Sequence, residues 1–377
     1  VARADDPSAL FYNPAGITQL PGLQVMGGAT FIIPGTDVKT TNTGETLKTS
    51  TETNIWVPPH LYATYQFSQS LWFGLGIFGQ FGLGTEFDEN WPGRYNSYNA
   101  QIKTLTFNPN VAFKVTDELS LAAGIDFMWF DLLLEQKIDA SGQNNPDTST
   151  FDVDQSLSGD TIGVGFNFGA HYKPCDWLAF GISYRSWVKQ NVDGSAEFKK
   201  PSFVPYFDNT DASGTVTLPD SVFMGVMFKP WERFSVEIDG IWTRWSNYDQ
   251  LTISYENEIV PGLDEVTRVK DWHDTWRTAI GFEYEALDWL DLRAGYTFDQ
   301  SPIDEEHADY LVPANDRHLF SAGPGFHFGK WTVDLSYTYI WIVDRDEVPA
   351  RLSEGVLESS FEDGFAHLMG LSVSYRF

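Results

Sequence analysis

The chain has 377 residues, one cysteine, 14 Trp, 16% aromatic residues and a formal net charge of −28. That charge repels a polyphosphate and excludes nucleic acid as a partner. Cys175 alone builds neither an intrachain disulfide framework nor a Cys-rich zinc site.

The opening residues, VARADDPS, carry no basic n-region and no apolar h-region, so any signal peptide is expected to have been removed. No apolar run approaches the ~18 residues of a transmembrane helix. Asp5 to Leu20 reads as a compact, half-apolar knot. Leu10, Phe11 and Tyr12 are bulky and consecutive, and Asn13-Pro14-Ala15-Gly16 has the chemistry of a capped turn. Such a knot suits a plug packed inside a larger structure, or an arm lying on a globular core.

Beyond it the pattern is period two. Leu290, Leu292, Ala294, Tyr296 and Phe298 alternate with Asp291, Arg293, Gly295, Thr297 and Asp299, and Trp331 to Trp341 and Phe365 to Phe377 repeat the scheme. Tracing such segments gives about fourteen strands. Short links near Ser68–Ser70, Thr116–Glu118, Lys173–Asp176, Lys229–Arg233, Glu285–Asp288 and Gly329–Lys330 separate them on one side. Long polar links occupy the other: Pro34–Asn54, Thr85–Lys103, Asp139–Ser158, Asn191–Ala212, Ser246–Lys270, Gln300–Arg317 and Val343–Gly364.

Strict alternation of short and long links predicts an all-β fold, a transmembrane antiparallel barrel of the outer-membrane type. Strands of roughly ten residues at ~3.3 Å rise and ~40° tilt cover about 25 Å, the height of the outer-membrane apolar band. Trp56, Trp72, Trp129, Trp177, Trp245, Trp272 and Trp341 fall at strand ends, where an interfacial girdle belongs. The expected organisation is an N-terminal plug over residues 1–21 and a barrel over 22–377 with long extracellular loops. Its surroundings would be the lipid and lipopolysaccharide of a Gram-negative outer membrane, with the protein acting as a monomer.

Three stretches carry a family resemblance. They are ADDPSALFYNPAG at the start; WVPP followed by FGLGTEF and WPGRY over 56–95; and RTAIG and FDQSP near 277–302. Together they resemble the outer-membrane long-chain fatty-acid transporter family (FadL type), which includes TodX-type hydrocarbon channels. The resemblance spans nearly the whole chain. It implies a fourteen-stranded barrel blocked by a hatch, loop capture of a hydrophobic molecule, an internal pocket, and sideways exit beside a kinked third strand. Members of the family carry a further N-terminal segment ahead of the Ala4-Asp5-Asp6 position, so this sequence starts within the hatch.

By the same resemblance Gly82, flanked by Phe81 and Gly84, falls at the kink of the third strand; a barrel-corner glycine is the alternative. Asn13 and Pro14 would hold the hatch, the Asn side chain bonding to backbone near the gap, or would form only a local turn. Arg268 matches a basic position near the ligand carboxylate. Gln136 stands at a second basic position, with Lys137 next to it on the opposite face, while Lys270 reads as a solvated loop charge. If Asp126 faces the lumen, so do Met128 and Phe130, and Phe223 and Met227 form a second inward patch; both suit a pocket for flexible chains or packing against the hatch. Phe203, Val204, Tyr206 and Phe207 read as an exposed apolar loop patch, a capture surface or a contact with the 139–158 loop. The acidic runs at 304–306 and 344–347 lack the spacing of a calcium loop, so no metal or other cofactor is expected. Passive uptake of a fatty acid or related hydrocarbon is therefore the first expectation. An open diffusion porin for polar solutes is the alternative, and an enzyme ranks below both, because none of the seven His lies in a recognisable catalytic motif.

Overall fold

Period-two alternation resolves into one closed antiparallel sheet in the computed structural model, which describes residues 1–42, 44–144 and 149–377. Among the described residues, fourteen barrel strands follow one another around the wall. They are β1 Leu23–Asn42, β2 Pro59–Gln66, β3 Leu71–Phe78 continued by Gly82–Glu86, β4 Asn99–Lys114 and β5 Leu119–Asp139. Next come β6 Asp152–Cys175, β7 Leu178–Arg185 continued by Val188–Lys199, β8 Thr210–Leu218 continued by Ser221–Trp231, and β9 Phe234–Thr243. The last five are β10 Thr275–Leu287, β11 Leu290–Asp299, β12 Arg317–Phe328, β13 Trp331–Ile342 and β14 Glu358–Arg376. The barrel closes where β1 pairs with β14, from Gln24↔Arg376 to Thr41↔Glu358.

The two faces divide as the alternation requires. On β5, Ile125, Phe127 and Trp129 are exposed on the outside, while Asp126, Met128 and Phe130 are fully buried inside. Exposed Trp177, Trp231, Trp289 and Trp331 ring the short-turn end, and Trp129, Trp187, Trp276 and Trp341 stand outward nearer the long-loop end. Among the described residues no helix is long and apolar enough to cross a membrane.

Four tryptophans expected in the girdle point elsewhere. Trp72 is buried, its indole N–H donating to Leu20 O at 2.8 Å. Trp56 lies against Gly84. Trp245 and Trp272 pack edge to face, 5.0 Å apart. The outer links also contain more strand than expected. β1 runs on to Asn42 and pairs with a hairpin partner, Glu45–Ser50; Gln250–Tyr255 pairs with Glu265–Val269; and Arg345–Val348 adds to β14. These stretches are only four to six residues long apart from the extension of β1, too short to stand out as strands within long polar links, although Leu251, Ile253 and Tyr255 do alternate with Thr252 and Ser254. Of the 34–54 and 139–158 links, residues 43 and 145–148 lie outside the described residues.

The first twenty residues sit inside the barrel. Ala9–Tyr12 makes one helical turn and Pro14–Gln19 a 3₁₀ turn, with Pro14 at a helix-start position that needs no N–H. Leu10 and Ile17 are fully buried against Met26, Tyr62, Trp72 and Phe78 of the wall. Asn13 caps the 3₁₀ turn by accepting from Ala15 N, and its amide donates to Ala170 O on β6 at 3.0 Å. The expected bond near the third strand is thus made to β6 instead. Gly169 is needed there, because a Cβ would stand 2.5 Å from Asn13 Oδ1.

Arg185, fully buried on β7, ties this plug to the wall. Its guanidinium pairs with Asp126 of β5, donates to the carbonyls of Leu10 and Phe11 at 3.2 Å, and lies 5.2 Å from the Phe78 ring centroid. It therefore satisfies helix-end carbonyls that have no intrahelical partner. Replacing Asp126 with Ala leaves that cation buried and uncompensated, which should cost about 3–5 kcal/mol. A lowered urea midpoint of the vesicle-inserted barrel would report it, with much of the loss recovered in Asp126→Leu/Arg185→Met. An unchanged midpoint in Asp126→Ala would show that plug and wall do not depend on this pair.

Candidate functional site

A cavity of about 260 Å³ opens under the extracellular loops between β5, β6 and the Gln250–Tyr255/Glu265–Val269 hairpin. Its lower walls are apolar, formed by Leu134, Leu157, Phe207, Leu251, Ile253 and Ile259. Its polar end is a hydrogen-bonded chain. Arg268 donates to Gln136 Oε1, Gln136 Nε2 to Gln155 Oε1 at 2.7 Å, and Gln155 Nε2 to the Tyr255 hydroxyl at 2.8 Å. The other arm of the guanidinium reaches Asn96 O at 3.3 Å. Among the described residues no carboxylate lies within ion-pair distance of Arg268. A guanidinium has five donors, so it keeps capacity for an incoming anion.

Arg268 and Gln136 are thus brought together as expected, and Gln155 and Tyr255 complete a set that spacing did not reveal. Lys137, expected on the opposite face, is buried at the same cavity and donates to Asn90 Oδ1 at 3.2 Å. Lys270 is not a solvated charge. It is 4% exposed and ion-paired with Asp309. Burial, the largest single influence, would raise the Asp309 pKa, but the charge and hydrogen bond of Lys270, with Arg268 and Arg351 behind them, together hold the carboxyl below its ordinary value. The pair's contribution is therefore complete above the unfolded carboxylate range and is lost as pH falls through the depressed folded value.

Below the cavity an apolar column continues inward. Met128 and Phe130 are fully buried with Val188, Val192, Val216, Leu218 and Leu251, and Phe81, Ile102 and Tyr248 pack on them. Phe223 and Met227 are inward but lie lower, against the plug: Phe223 is 6.1 Å from the Phe11 ring, and Met227 clusters with Ala2 and Ala179. The loop patch divides. Phe203 and Tyr206 are exposed, whereas Val204 and Phe207 are buried with Phe198 and Ile259 because the loop folds over the barrel mouth. Phe203 meets Phe151 edge to face at 5.5 Å.

β3 is broken over residues 79–81. Its two parts pair with β4 from Leu71↔Phe113 to Phe78↔Thr106 and again from Gly82↔Lys103 to Glu86↔Asn99, one residue out of step. Thr104 Oγ1 bridges the break, accepting from Phe81 N and donating to Phe81 O. On the other edge, β2 pairs only with the lower part, because the chain ahead of Pro59 leaves β3 to bridge β1 at Ile32↔Trp56. A slot in the wall results, and the Trp56 ring fills it. A Cβ on Gly84 would stand 2.3 Å from that ring, whereas one on Gly82 would meet only Ile102 O at 3.8 Å. Gly82 therefore heads the upper segment as an exposed, paired residue, and the crowded glycine is Gly84.

Comparison with known proteins agrees with this architecture over its full length. The long-chain fatty acid transport protein of Escherichia coli O6:H1 is 25% identical, across 100% of this chain and 90% of the relative. The crystal structure of a Pseudomonas aeruginosa FadL homologue superposes with a TM-score of 0.86 at 20% identity, covering 98% of this chain and 94% of that one. The Ralstonia pickettii toluene transporter TbuX gives 0.74 at 17% identity, covering 98% and 94%. The profile of the outer membrane protein transport protein family (OMPP1/FadL/TodX) matches residues 1–377. With barrel, inner plug, broken third strand and a match from end to end, the chain belongs to that family of outer-membrane transporters of hydrophobic compounds.

Proposed function

We propose that the protein takes up a long-chain fatty acid or similar apolar carboxylate, binding the head group at Arg268 and the chain against Leu134, Leu157, Leu251 and Ile253. The observation that carries the reading is a guanidinium without a carboxylate within ion-pair distance, at the polar end of a cavity whose facing wall is Leu134, Leu157, Leu251 and Ile253. Exposed Phe203 and Tyr206 offer the first contact outside. From the cavity the chain follows Met128, Phe130 and Phe81 to the slot at Trp56, and leaves sideways into hydrocarbon. A lateral route keeps each buried CH₂ out of water, roughly 0.8 kcal/mol apiece, which a path through the plug would forfeit. Neutral hydrocarbons are the second reading, since a structural neighbour is a toluene transporter.

Replacing Arg268 with Ala should weaken fatty-acid binding by about 1.5–3 kcal/mol, the range for a hydrogen bond to a charged group, and leave a neutral hydrocarbon unaffected. Tryptophan-fluorescence titration with both ligands separates the readings, and an equal loss for the two would assign Arg268 a purely structural role. A plugged barrel should also pass little current in a planar bilayer; steady large single-channel currents would favour the porin.

Exit at Trp56 makes a second expectation. Gly84→Val drives a side chain into the indole and should reduce uptake into cells while the barrel still shows heat-modifiable migration. Gly82→Val should transport normally. Normal uptake by folded Gly84→Val would move the exit elsewhere.

A further inference from the structure

We propose that the wall contains a second lateral portal, at the seam between β6 and β7, which opens the Met128–Phe130 column to the bilayer. This inference rests on the uptake function proposed above and adds a route to it.

Pairing of β6 with β7 runs from Tyr172↔Phe180 to Asn167↔Arg185, then lapses, and resumes from Asp160↔Asp193 to Asp154↔Lys199. Beyond one bond at the lower edge, from Ser186 N–H to Phe166 O at 2.9 Å, residues 161–165 of β6 face residues 187–192 of β7 without a ladder between them. Neither strand is loose. β6 stays in register with β5 through Phe130↔Thr161, Met128↔Gly163 and Asp126↔Gly165, and β7 with β8 through Val188↔Leu218 and Gln190↔Val216. The result is a slit between two sheets that stay paired on their far sides, apart from the short break of β7 at Ser186-Trp187.

The slit lies at membrane depth. Outward Lys103, Asp131 and Asp160 form one row of the pairing network and mark the charged rim. Below that rim the β6 lip is apolar, Ile162 66% and Val164 60% exposed, while the β7 lip carries outward Trp187 with Lys189 and Asn191 above it, so the slit runs from the polar interface into the apolar band. Backbone groups without ladder partners cost several kcal/mol apiece in hydrocarbon, so a barrel has reason to eliminate such a lapse. The break in β3 has the same construction: a one-residue slip in register, and a hydroxyl in place of the ladder. Here the hydroxyl is Ser186 Oγ, which accepts from Phe166 N at 2.9 Å.

On the inner side the slit is shut by side chains alone. Gly163 and Gly165 leave notches that β7 fills. A Cβ on Gly163 would stand 2.5 Å from Val188 Cγ1 and 2.7 Å from Gln190 Oε1, and one on Gly165 would stand 2.9 Å from Ser186 Oγ. Gln190 is fully buried in this closure, yet its Oε1 has no hydrogen-bond partner and its Nε2 reaches only Met128 O, at 3.5 Å. A buried amide so poorly satisfied binds its neighbours weakly and costs free energy in the shut state. Swinging Val188 and Gln190 aside joins the apolar column to the lipid without breaking any ladder bond. The ligand such a slit admits is a slender acyl chain.

The seam can be locked covalently. With Cys175 replaced by Ser, Gly165→Cys/Ser186→Cys and, separately, Gly163→Cys/Val188→Cys place thiols across the slit at separations a disulfide accepts. Uptake of radiolabelled oleate is measured in cells lacking their own fatty-acid channel, oxidised and then reduced, in the wild-type and Gly84→Val backgrounds. A portal predicts that Gly84→Val leaves residual uptake, and that this residue falls to background when either disulfide forms and returns on reduction. Residual uptake that is indifferent to a disulfide verified on non-reducing gels overturns the portal, as does complete loss of uptake from Gly84→Val alone. Absence of oleate uptake by the wild-type protein would instead overturn the fatty-acid reading. Heat-modifiable migration of each pair confirms folding, and the second pair decides if the first does not fold.

Discussion

Hydrocarbon supplies no hydrogen bonds, so every backbone N–H and C=O at membrane depth must find its partner within the sheet. The ladder between β1 and β14 is where this constraint is finally met, because it removes the last two edges. The rest of the architecture depends on that closure. Once the wall is sealed, the inward side chains of the strands define an interior isolated from lipid, and a polar Asp126 or Asn167 can stand there at no cost to the outer face. Departures from full pairing then become informative, since the barrel tolerates them against its own stability. Among the described residues the ladder lapses at several places, at Pro109 and Pro324 among them, and two of the lapses border the same apolar column.

The interior is filled from both ends. From the short-turn end the plug is tied to the wall by Arg3, which pairs with Glu283, and by Arg185. Arg185 links β5, β7 and the plug's helical turn, and it faces Phe78 immediately before the break in β3. Any displacement of the turn that carries Leu10 and Phe11 must therefore also disturb the base of the slot. From the loop end, the Gln250–Tyr255/Glu265–Val269 hairpin covers the mouth, and Lys270–Asp309 pins its return. Phe81 meets Trp245 at 6.1 Å, so the break in β3 touches the loop after β9 across the lumen. Plug, mouth and wall opening are mechanically adjacent, although their residues are far apart in sequence.

Much of this was legible in the sequence. Alternation located the strands, and the unequal links gave the orientation, because those signals are local and of period two. The inward placement of Met128 and Phe130 followed from parity alone once Asp126 was set inside. What escaped was whatever depends on contacts between distant strands. Trp56 looked like a girdle residue because it sits at a strand end, but its chain leaves β3 for β1, and only that detour brings the indole to Gly84. Gly82 and Gly84 are equivalent in a linear pattern; the neighbouring ring crowds one and leaves open space beside the other. Lys270 looked solvated because its partner, Asp309, is contributed by another loop. Val204 and Phe207 looked exposed because nothing local says a loop will fold back over the mouth. Arg185 did leave a signal, a single cation on the inward parity of Leu178–Arg185, although parity does not name its partners.

The two proposed wall openings would also explain why glycine and bulky side chains occur together in this barrel. A missing ladder leaves space that must be filled when no cargo passes, and the filling must withdraw without unfolding a strand. A large side chain seated in a glycine notch meets both demands. Rotation about χ angles costs far less than breaking a row of backbone hydrogen bonds. Trp56 over Gly84 uses a rigid indole whose N–H is buried without a partner. Val188 and Gln190 over Gly163 and Gly165 use a smaller aliphatic group and an amide whose oxygen is equally unpartnered. In each case the polar atom left unsatisfied raises the free energy of the shut state relative to a fully apolar stopper, and so narrows the gap to the open one. A stopper that packed perfectly would make a better wall and a poorer door.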